Sequence, residues 1–214
     1  MNMTTTEKYA LTVLEAQGKL TALQKQEQAL YLAASCVWEM MQAKSVTADK
    51  RGKLRVSSPL PETLSYCRPI YKRLAKKPMK PEKAALDYIY TNKRIKSLVE
   101  SIADDLIDKS VLVVEQQSSR RKTSLCHLDT TLIAEDIVAA KHMDRTAAPD
   151  QINLAILLLE SGTAKKLMNK QEFSVLKKAS GQVSTDFKTY VKKVSKRFRI
   201  AKAIIWASIG VSGT

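Results

Sequence analysis

The sequence predicts a mostly α-helical protein, a single helical domain over residues 1–214 with two β-hairpins in winged-helix-like units. Three observations support this fold class. Apolar residues recur along most of the chain at the i, i+3, i+4, i+7 spacing of helices with one buried face. Two short β-prone runs flank polar turns, near residues 45–57 and 111–128, as expected for hairpins. An apolar fraction of 44% in 214 residues is enough to fill a core.

The first part of the chain predicts three helices and one hairpin. The helices begin near Thr6, Ala22 and Pro61, and they end near Gly18, Ala43 and Lys76. Gly18 is a natural C-terminal stop, because glycine adopts the left-handed backbone that often ends a helix. Asp49–Gly52 provides the hairpin turn. Pro69 should break or kink the helix in which it lies.

The second part repeats the order of helix, hairpin and helix. The predicted helices cover residues 82–90, 93–108, 149–160, 164–169, 171–179 and 184–207. The predicted strands cover residues 111–115 and 123–128. The run Leu154–Leu159 is short enough for a strand, but it is rich in leucine rather than β-branched residues, so a helix is favoured. The repeated order fits one compact helical domain or two winged-helix-like units that share a core.

The charge of the chain is strongly basic and unevenly distributed. The net charge is +15, from 36 basic and 21 acidic residues. Residues 49–100 contain 14 basic and five acidic side chains, and residues 164–214 contain 12 and two. All of the excess therefore lies in two separate segments, which predicts a surface that meets a polyanion such as a phospholipid leaflet or a nucleic acid.

Residue patterns typical of enzymes are missing from the sequence. No glycine-rich phosphate loop occurs, and His127 and His142 lack the neighbours that a zinc site needs. Asp104 and Asp108 lie one helical turn apart, where a solvated helix face is favoured over a cation site. We therefore expect no catalytic residues, no metal and no cofactor. With no leader-like start and an apolar run far below the ~20 residues of a membrane span, we expect a cytoplasmic protein.

Two clusters of cations are the candidate sites for an anionic lipid surface. Lys93, Arg94 and Lys96 begin a predicted helix, where unpaired backbone N–H groups already favour anions. The tip of the second hairpin contains Arg120, Arg121 and Lys122, which could touch headgroups or a DNA groove.

The C-terminal helix is basic and amphipathic. Phe187, Val191 and Val194 lie on one side and are predicted to complete the core. Trp206 and several isoleucines follow, and such a helix end can lie on a membrane surface.

Four segments resemble the Golgi phosphoprotein family in the same order along nearly the whole chain. They are the Leu11–Glu15 motif followed by Gly18-Lys-Leu20, the Ala29–Met41 helix that leads into the first hairpin, Ser101–Glu115 before the second hairpin, and Ile152–Gly162. Each segment is degenerate. The resemblance implies a mostly helical single domain that binds phosphatidylinositol 4-phosphate and acts as a membrane adaptor for enzymes of glycosylation.

Most of the family's headgroup-binding residues are replaced in this chain by residues of different chemistry. Its tryptophan and first arginine correspond to Gln24 and Ala33, and two further arginines correspond to Lys96 and Val99. Only Lys96 retains a charge, and alanine and valine cannot pair with a phosphate.

These observations together favour a peripheral, non-enzymatic protein that binds anionic phospholipid headgroups and, by the resemblance, the tail of a membrane enzyme. The alternative is a winged-helix protein that binds nucleic acid through Arg120–Lys122. Recognition helices usually present Arg, Asn or Gln to bases, whereas the helices ahead of these hairpins are apolar or poor in lysine, as in Ala29–Ala43, which lowers this alternative. A protein-interaction scaffold is a third, weaker hypothesis.

Overall fold

The fold is mostly α-helical with two small antiparallel hairpins, as the sequence predicts. A computed structural model describes residues 3–17, 22–116, 124–128 and 148–211. The helices are Thr5–Gln17 (α1), Gln26–Gln42 (α2), Arg68–Lys76 (α3), Pro81–Ile89 (α4), Asn92–Asp108 (α5), Pro149–Glu160 (α6), Ala164–Leu167 (α7), Lys170–Gln182 (α8) and Asp186–Val211 (α9). The strands are Val46–Ala48 (β1), Leu54–Val56 (β2), Leu112–Gln116 (β3) and Ser124–Leu128 (β4), and a 3₁₀ helix spans Glu62–Cys67.

Helix α2 is the centre of the core. Residues 28–37 of this helix are buried without interruption, because α1, α4, α5, α9 and the 3₁₀ helix pack around it. A helix that is apolar on nearly every face is expected to lie inside a protein. Helix α6 is similar, with residues 154–158 buried between α1, α8 and α9. The buried apolar residues form one continuous cluster.

The predicted break near Pro69 is confirmed. The 3₁₀ helix ends at Cys67, and α3 begins at Arg68 with the proline in its first turn, where no intrahelical N–H bond is lost. The helical prediction for 149–160 is also confirmed. Its glycine stop, Gly162, has a φ of +73°.

Both predicted hairpins are present. In the first, Val46 pairs with Val56 and Ala48 with Leu54, and Gly52 takes a φ of +68° in the turn. The Asp49 carboxylate accepts hydrogen bonds from two backbone N–H groups of the turn, at 2.9 and 3.0 Å. In the second, Leu112 pairs with Leu128. The predicted turn of the second hairpin, and the predicted helix stop at Gly18, lie outside the described residues.

Several helix ends differ from the prediction: α8 ends at Gln182 rather than at residue 179, α7 ends at Leu167 rather than at residue 169, and the differences are largest at α2 and α9. Helix α2 begins at Gln26 rather than Ala22, after a turn closed by a hydrogen bond from the N–H of Lys25 to the carbonyl of Ala22. Helix α9 continues to Val211, four residues past the predicted end at Ala207. Both segments are helical, as predicted. The spacing of apolar residues indicates that a helix forms, whereas local hydrogen bonds determine where it begins and ends.

Candidate anion-binding surface

The core-facing side of α9 fixes which of its side chains meet solvent. Phe187, Val191 and Val194 are buried, as the sequence predicts. Trp38 of α2 holds the start of the helix, with its ring 5.3 Å from that of Phe187 and stacked at 5.9 Å on Tyr190. The remaining faces of α9 are therefore directed outward or toward α4, α6 and α8.

The outward faces of α9 are rich in cations. No acidic residue follows Asp186 in the sequence. The exposed cationic side chains of α9, which we call the α9 basic face, are Lys192, Lys193, Lys196, Arg197, Arg199 and Lys202.

Only part of the α9 basic face is paired with carboxylates. Arg197 contacts Glu82 at 2.9 Å, whereas Arg199 and Lys202 make longer contacts of 3.6 and 3.3 Å to Glu160 and Glu27. Within the described part of the chain, Lys192, Lys193 and Lys196 have no ion-pair partner. These three ammonium groups are therefore available to an external anion.

One flank of α9 forms a groove with α6 and α8. Lys188, Lys192 and Arg199 are four and seven residues apart, so they lie on the same side of the helix. They line a cavity of about 360 Å³, together with Lys177 of α8 and Glu160 of α6. We call this cavity the α6–α8–α9 groove. Ile156, Leu159 and Phe173 are its apolar walls.

Hydrogen bonds between distant segments hold the groove in place. The hydroxyl of Tyr31 in α2 donates to the backbone carbonyl of Glu160 at 2.7 Å and lies 2.9 Å from the hydroxyl of Ser195. Ser195 also donates to the Glu160 carboxylate at 3.1 Å. Burial raises the pKa of Tyr31 to about 12, so the phenol stays protonated and keeps its donor. These contacts fix α2, α6 and α9 relative to one another.

Lys188 is bound to the end of α8. Its ammonium donates to the backbone carbonyls of Ser180 and, at 2.7 Å, of Val183. Burial and the neighbouring Lys192 lower the pKa of Lys188. A cation that caps a helix C-terminus is stabilised by the helix dipole, yet here it also stands next to a second cation.

Two of the three cations in the predicted cluster at the start of α5 lie at the surface. Lys93 and Lys96 are exposed, and Lys96 is 3.5 Å from Glu100 on the next turn. Arg94 is half-buried and donates to both the side chain and the backbone carbonyl of Asp87, at 2.9 and 2.8 Å. The Arg94 guanidinium is therefore held by a carboxylate within the protein, which it shares with Arg73. The other predicted cluster, Arg120, Arg121 and Lys122, lies outside the described residues.

Helix α4 connects the two basic segments of the sequence. Its Glu82 contacts Arg197 of α9, and its Asp87 contacts both Arg94 of α5 and Arg73 of α3. Interactions with Asp87 raise the pKa of Arg73. The segments 49–100 and 164–214 therefore meet at α4, although some of their cations are used in ion pairs there.

The positions that the family resemblance assigns to a headgroup do not form a cationic site. Ala33 and Val99 are fully buried in the core, and Gln24 is half-buried. Lys96 is the single charged member and lies at the surface.

A second cavity, of about 800 Å³, lies where α1, α6 and α9 begin and α2 ends. The carboxylate of Glu39 lines it, and desolvation raises the pKa of this group to about 7. Thr6 and Tyr66 donate hydrogen bonds to both carboxylate oxygens, at 2.6–2.9 Å. No sequence pattern indicated this site, since a single glutamate in an apolar helix has no partner nearby in the chain. Through these hydrogen bonds, Glu39 links α2 to α1 and to the 3₁₀ helix.

The described residues contain no group of three or more histidine, cysteine, aspartate or glutamate side chains placed to hold a metal ion. Of the aspartates near the end of α5, Asp105 is engaged by Lys109 at 2.7 Å and by Ser65 at 3.1 Å. Among the described helices, none combines the length and apolarity needed to cross a bilayer.

Comparison of the chain with protein-family models finds no match, and comparison with curated proteins finds none either.

Proposed function

We propose that the protein is a peripheral, non-enzymatic membrane protein that binds anionic lipid surfaces through the α9 basic face. The single observation that supports this most directly is the set of unpaired, exposed lysines Lys192, Lys193 and Lys196 on a helix whose other side is fixed in the core. Because the opposite side of α9 is buried in the core, these cations face solvent. The adaptor role and the Golgi-phosphoprotein-like fold remain part of the proposal.

The energetics fit a reversible surface interaction. Each lysine or arginine near an anionic leaflet contributes about 1 kcal/mol. Ile200 lies among the cations of α9 and is 50% exposed, so an apolar contact with the interface is available as well. Lys93, Lys96 and the hairpin residues Arg120, Arg121 and Lys122 would add to the same attraction.

A vesicle flotation assay with a matched pair of variants tests this proposal. Lys193→Gln/Lys196→Gln should weaken binding to anionic vesicles by about 2 kcal/mol, or about 30-fold, at low salt. The control is Lys50→Gln/Lys53→Gln, which removes the same charge from the exposed first hairpin. If this control reduces binding equally, attraction depends on net charge alone and the α9 basic face is not the contact.

The hairpin tip has its own variant. Arg120→Glu/Arg121→Glu should weaken vesicle binding while the unfolding temperature stays nearly the same, because this tip is predicted to be polar and exposed. Wild-type affinity for vesicles in this variant would contradict the assignment of Arg120–Lys122. Binding of the wild-type protein to duplex DNA but not to anionic vesicles would overturn the membrane proposal in favour of the nucleic-acid alternative.

A further inference from the structure

We propose that the α6–α8–α9 groove is a binding site for a phosphate monoester. The groove lies on the flank of α9 and shares Lys192 and Arg199 with the α9 basic face, whereas Lys193 and Lys196, on which the membrane proposal is tested, do not line it. The inference nevertheless goes beyond the proposed membrane contact, because a preference for a phosphate monoester is measured separately from overall binding to anionic vesicles.

Cations from two helices converge on the groove. Lys177 comes from α8, and Lys188, Lys192 and Arg199 come from one flank of α9. Lys177 and Lys192 have no hydrogen-bond or ion-pair partner within the described residues. Like charges that line one cavity repel one another, so a bound anion would stabilise the arrangement.

Lys188 is the fixed member of the cluster. An ammonium group has three N–H donors, and the carbonyls of Ser180 and Val183 occupy two of them. The third donor remains for a ligand in the cavity that Lys188 lines. Because the other two bonds hold the ammonium in position, a ligand would meet a donor that is already ordered, which reduces the entropic cost of binding.

Glu160 is the one carboxylate that lines the groove among the described residues, and it compensates only part of the positive charge. Its carboxylate accepts a hydrogen bond from Ser195 at 3.1 Å, and Arg199 approaches it only to 3.6 Å with 74% of its side chain exposed. A contact of this length to an exposed guanidinium is weak. Arg199 can therefore turn toward a stronger anion in the cavity.

The chemistry of the groove selects the class of ligand. Lysine ammonium groups are compact point charges, and several of them suit a small anion of high charge density. A phosphate monoester carries about −1.5 to −2 near neutral pH, whereas a phosphodiester or a carboxylate carries a single charge. Four cationic side chains and one carboxylate line the groove, so its positive charge suits the more highly charged monoester better than a singly charged anion.

The apolar walls and the volume of the groove constrain the organic part of the ligand, beyond its phosphate group. Ile156, Leu159 and Phe173 present carbon surface beside the cations, which fits the organic part of an ester. A volume of about 360 Å³ lies at the low end for small-molecule sites, which extend from about 300 Å³. The ligand is thus a small organic phosphate or the headgroup of a lipid such as phosphatidic acid.

Two probes separate these sources. Binding of glycerol 3-phosphate is measured by isothermal titration, and flotation compares vesicles containing phosphatidic acid with vesicles of equal charge containing phosphatidylglycerol, a diester. The groove variant is Lys177→Gln/Lys192→Gln, and the control is Lys193→Gln/Lys196→Gln. Both remove two exposed lysines, so their folding is compared by thermal unfolding.

The expected result is a groove-dependent preference for monoesters. The groove variant should lose at least about tenfold in affinity for the monoester probe, whereas the control should retain the preference even if its overall vesicle binding falls. Binding of glycerol 3-phosphate to the wild-type protein would indicate that the ligand is a soluble ester. Binding confined to phosphatidic acid vesicles would indicate that the ligand is a lipid headgroup. Absence of a preference for either monoester in the wild-type protein, or its equal loss in both variants, would overturn the proposal.

Discussion

Single residues connect the helices of this protein through buried polar contacts. Glu39 accepts hydrogen bonds from the backbone N–H and hydroxyl of Thr6 and from the phenol of Tyr66, which also lies 2.7 Å from the hydroxyl of Thr4. Burial raises the pKa of Tyr66, so this phenol remains a donor. The network shows that the start of α1 is held by α2 and the 3₁₀ helix rather than by apolar packing alone.

The pH dependence of stability should report on Glu39. Desolvation raises the pKa of this carboxyl from 4.5 to about 7, so between these values the folded state holds a proton that the unfolded state has lost. Stability is therefore greatest below the lower pKa and falls as pH rises toward 7, by at most about 3 kcal/mol. Urea unfolding across this range should show the decline.

Glu39→Gln should flatten that decline, because the amide cannot titrate. Glu100→Gln is the matched control, since Glu100 is on the exposed face of α5. An unchanged slope in the Glu39→Gln variant would mean that another group titrates in this range.

Lys109 is the partner of a fully buried carboxylate. Its ammonium contacts both Glu7, whose side chain has no exposed surface, and Asp105 at 2.7 Å. Burial acts to lower the pKa of Lys109, but its hydrogen bonds to Asp105 and Glu7 raise it overall. Lys109→Met should destabilise the protein by about 3 kcal/mol in chemical unfolding, because Glu7 would remain buried without its partner.

Lys96→Met provides the comparison for that measurement. Lys96 also pairs with an acidic residue, Glu100, but both side chains are more than half exposed. Exposed pairs of this kind contribute little to stability. Equal losses in the two variants would indicate that hydrophobic replacement, rather than the buried pair, causes the effect.

Among the secondary structure elements, two helices end at a left-handed residue that is not glycine. Helices α2 and α5 end in the same hydrogen-bonded motif, in which Ser45 bonds back to Met40 and Val111 to Leu106. The left-handed residue in these motifs is Lys44, with a φ of +56°, and Ser110, with a φ of +57°. Glycine usually marks such positions, as it does at Gly162. No glycine marks these two stops, yet the predicted ends near Ala43 and at Asp108 agree with the structure, because the apolar period itself ends there.

Replacement by glycine should stabilise both ends. Lys44→Gly and Ser110→Gly relieve the left-handed backbone and should each raise the free energy of unfolding by about 1 kcal/mol. Gly162→Ala is the reverse test. A Cβ there meets nothing within 4 Å, so the φ of +73° alone should lower stability by about 1 kcal/mol. A loss of stability in the glycine variants would show that the side chains matter more than the backbone.

The hairpins and the kink at Pro69 were predictable because their signals are local. Gly52 supplies the positive φ of a turn, and proline cannot continue a helix without losing a hydrogen bond. The partners of Arg94 were not predictable in this way. Asp87 lies on another helix, and only the angle between α4 and α5 brings the two side chains together.

For the whole molecule, the distribution of charge matters more than its total. A net charge of +15 predicts attraction to any polyanion. The described ion pairs engage Arg55, Arg73, Arg94 and Arg197, each within 3.0 Å of a carboxylate, although Arg73 and Arg94 share Asp87. The unpaired lysines of the α9 basic face are therefore the stronger candidates for an external partner.

Binding to anionic vesicles should fall steeply as salt is added. The Debye length shortens from about 8 Å at physiological ionic strength to about 3 Å at 1 M, so exposed lysines lose their attraction to the leaflet. A flotation series over increasing sodium chloride measures this, with neutral phosphatidylcholine vesicles as the control. Salt-independent binding would indicate that apolar contacts, such as that of Ile200, dominate instead.

The sequence alone determined the helical class, the two hairpins, the core-facing side of α9 and the two basic segments, because each depends on residues close together in the chain. The pairing of the cations, the position of the α6–α8–α9 groove and the desolvation of Glu39 follow from the packing of the helices against one another. The physical reason is that charge interactions and desolvation depend on distances between side chains far apart in sequence, such as Arg197 and Glu82.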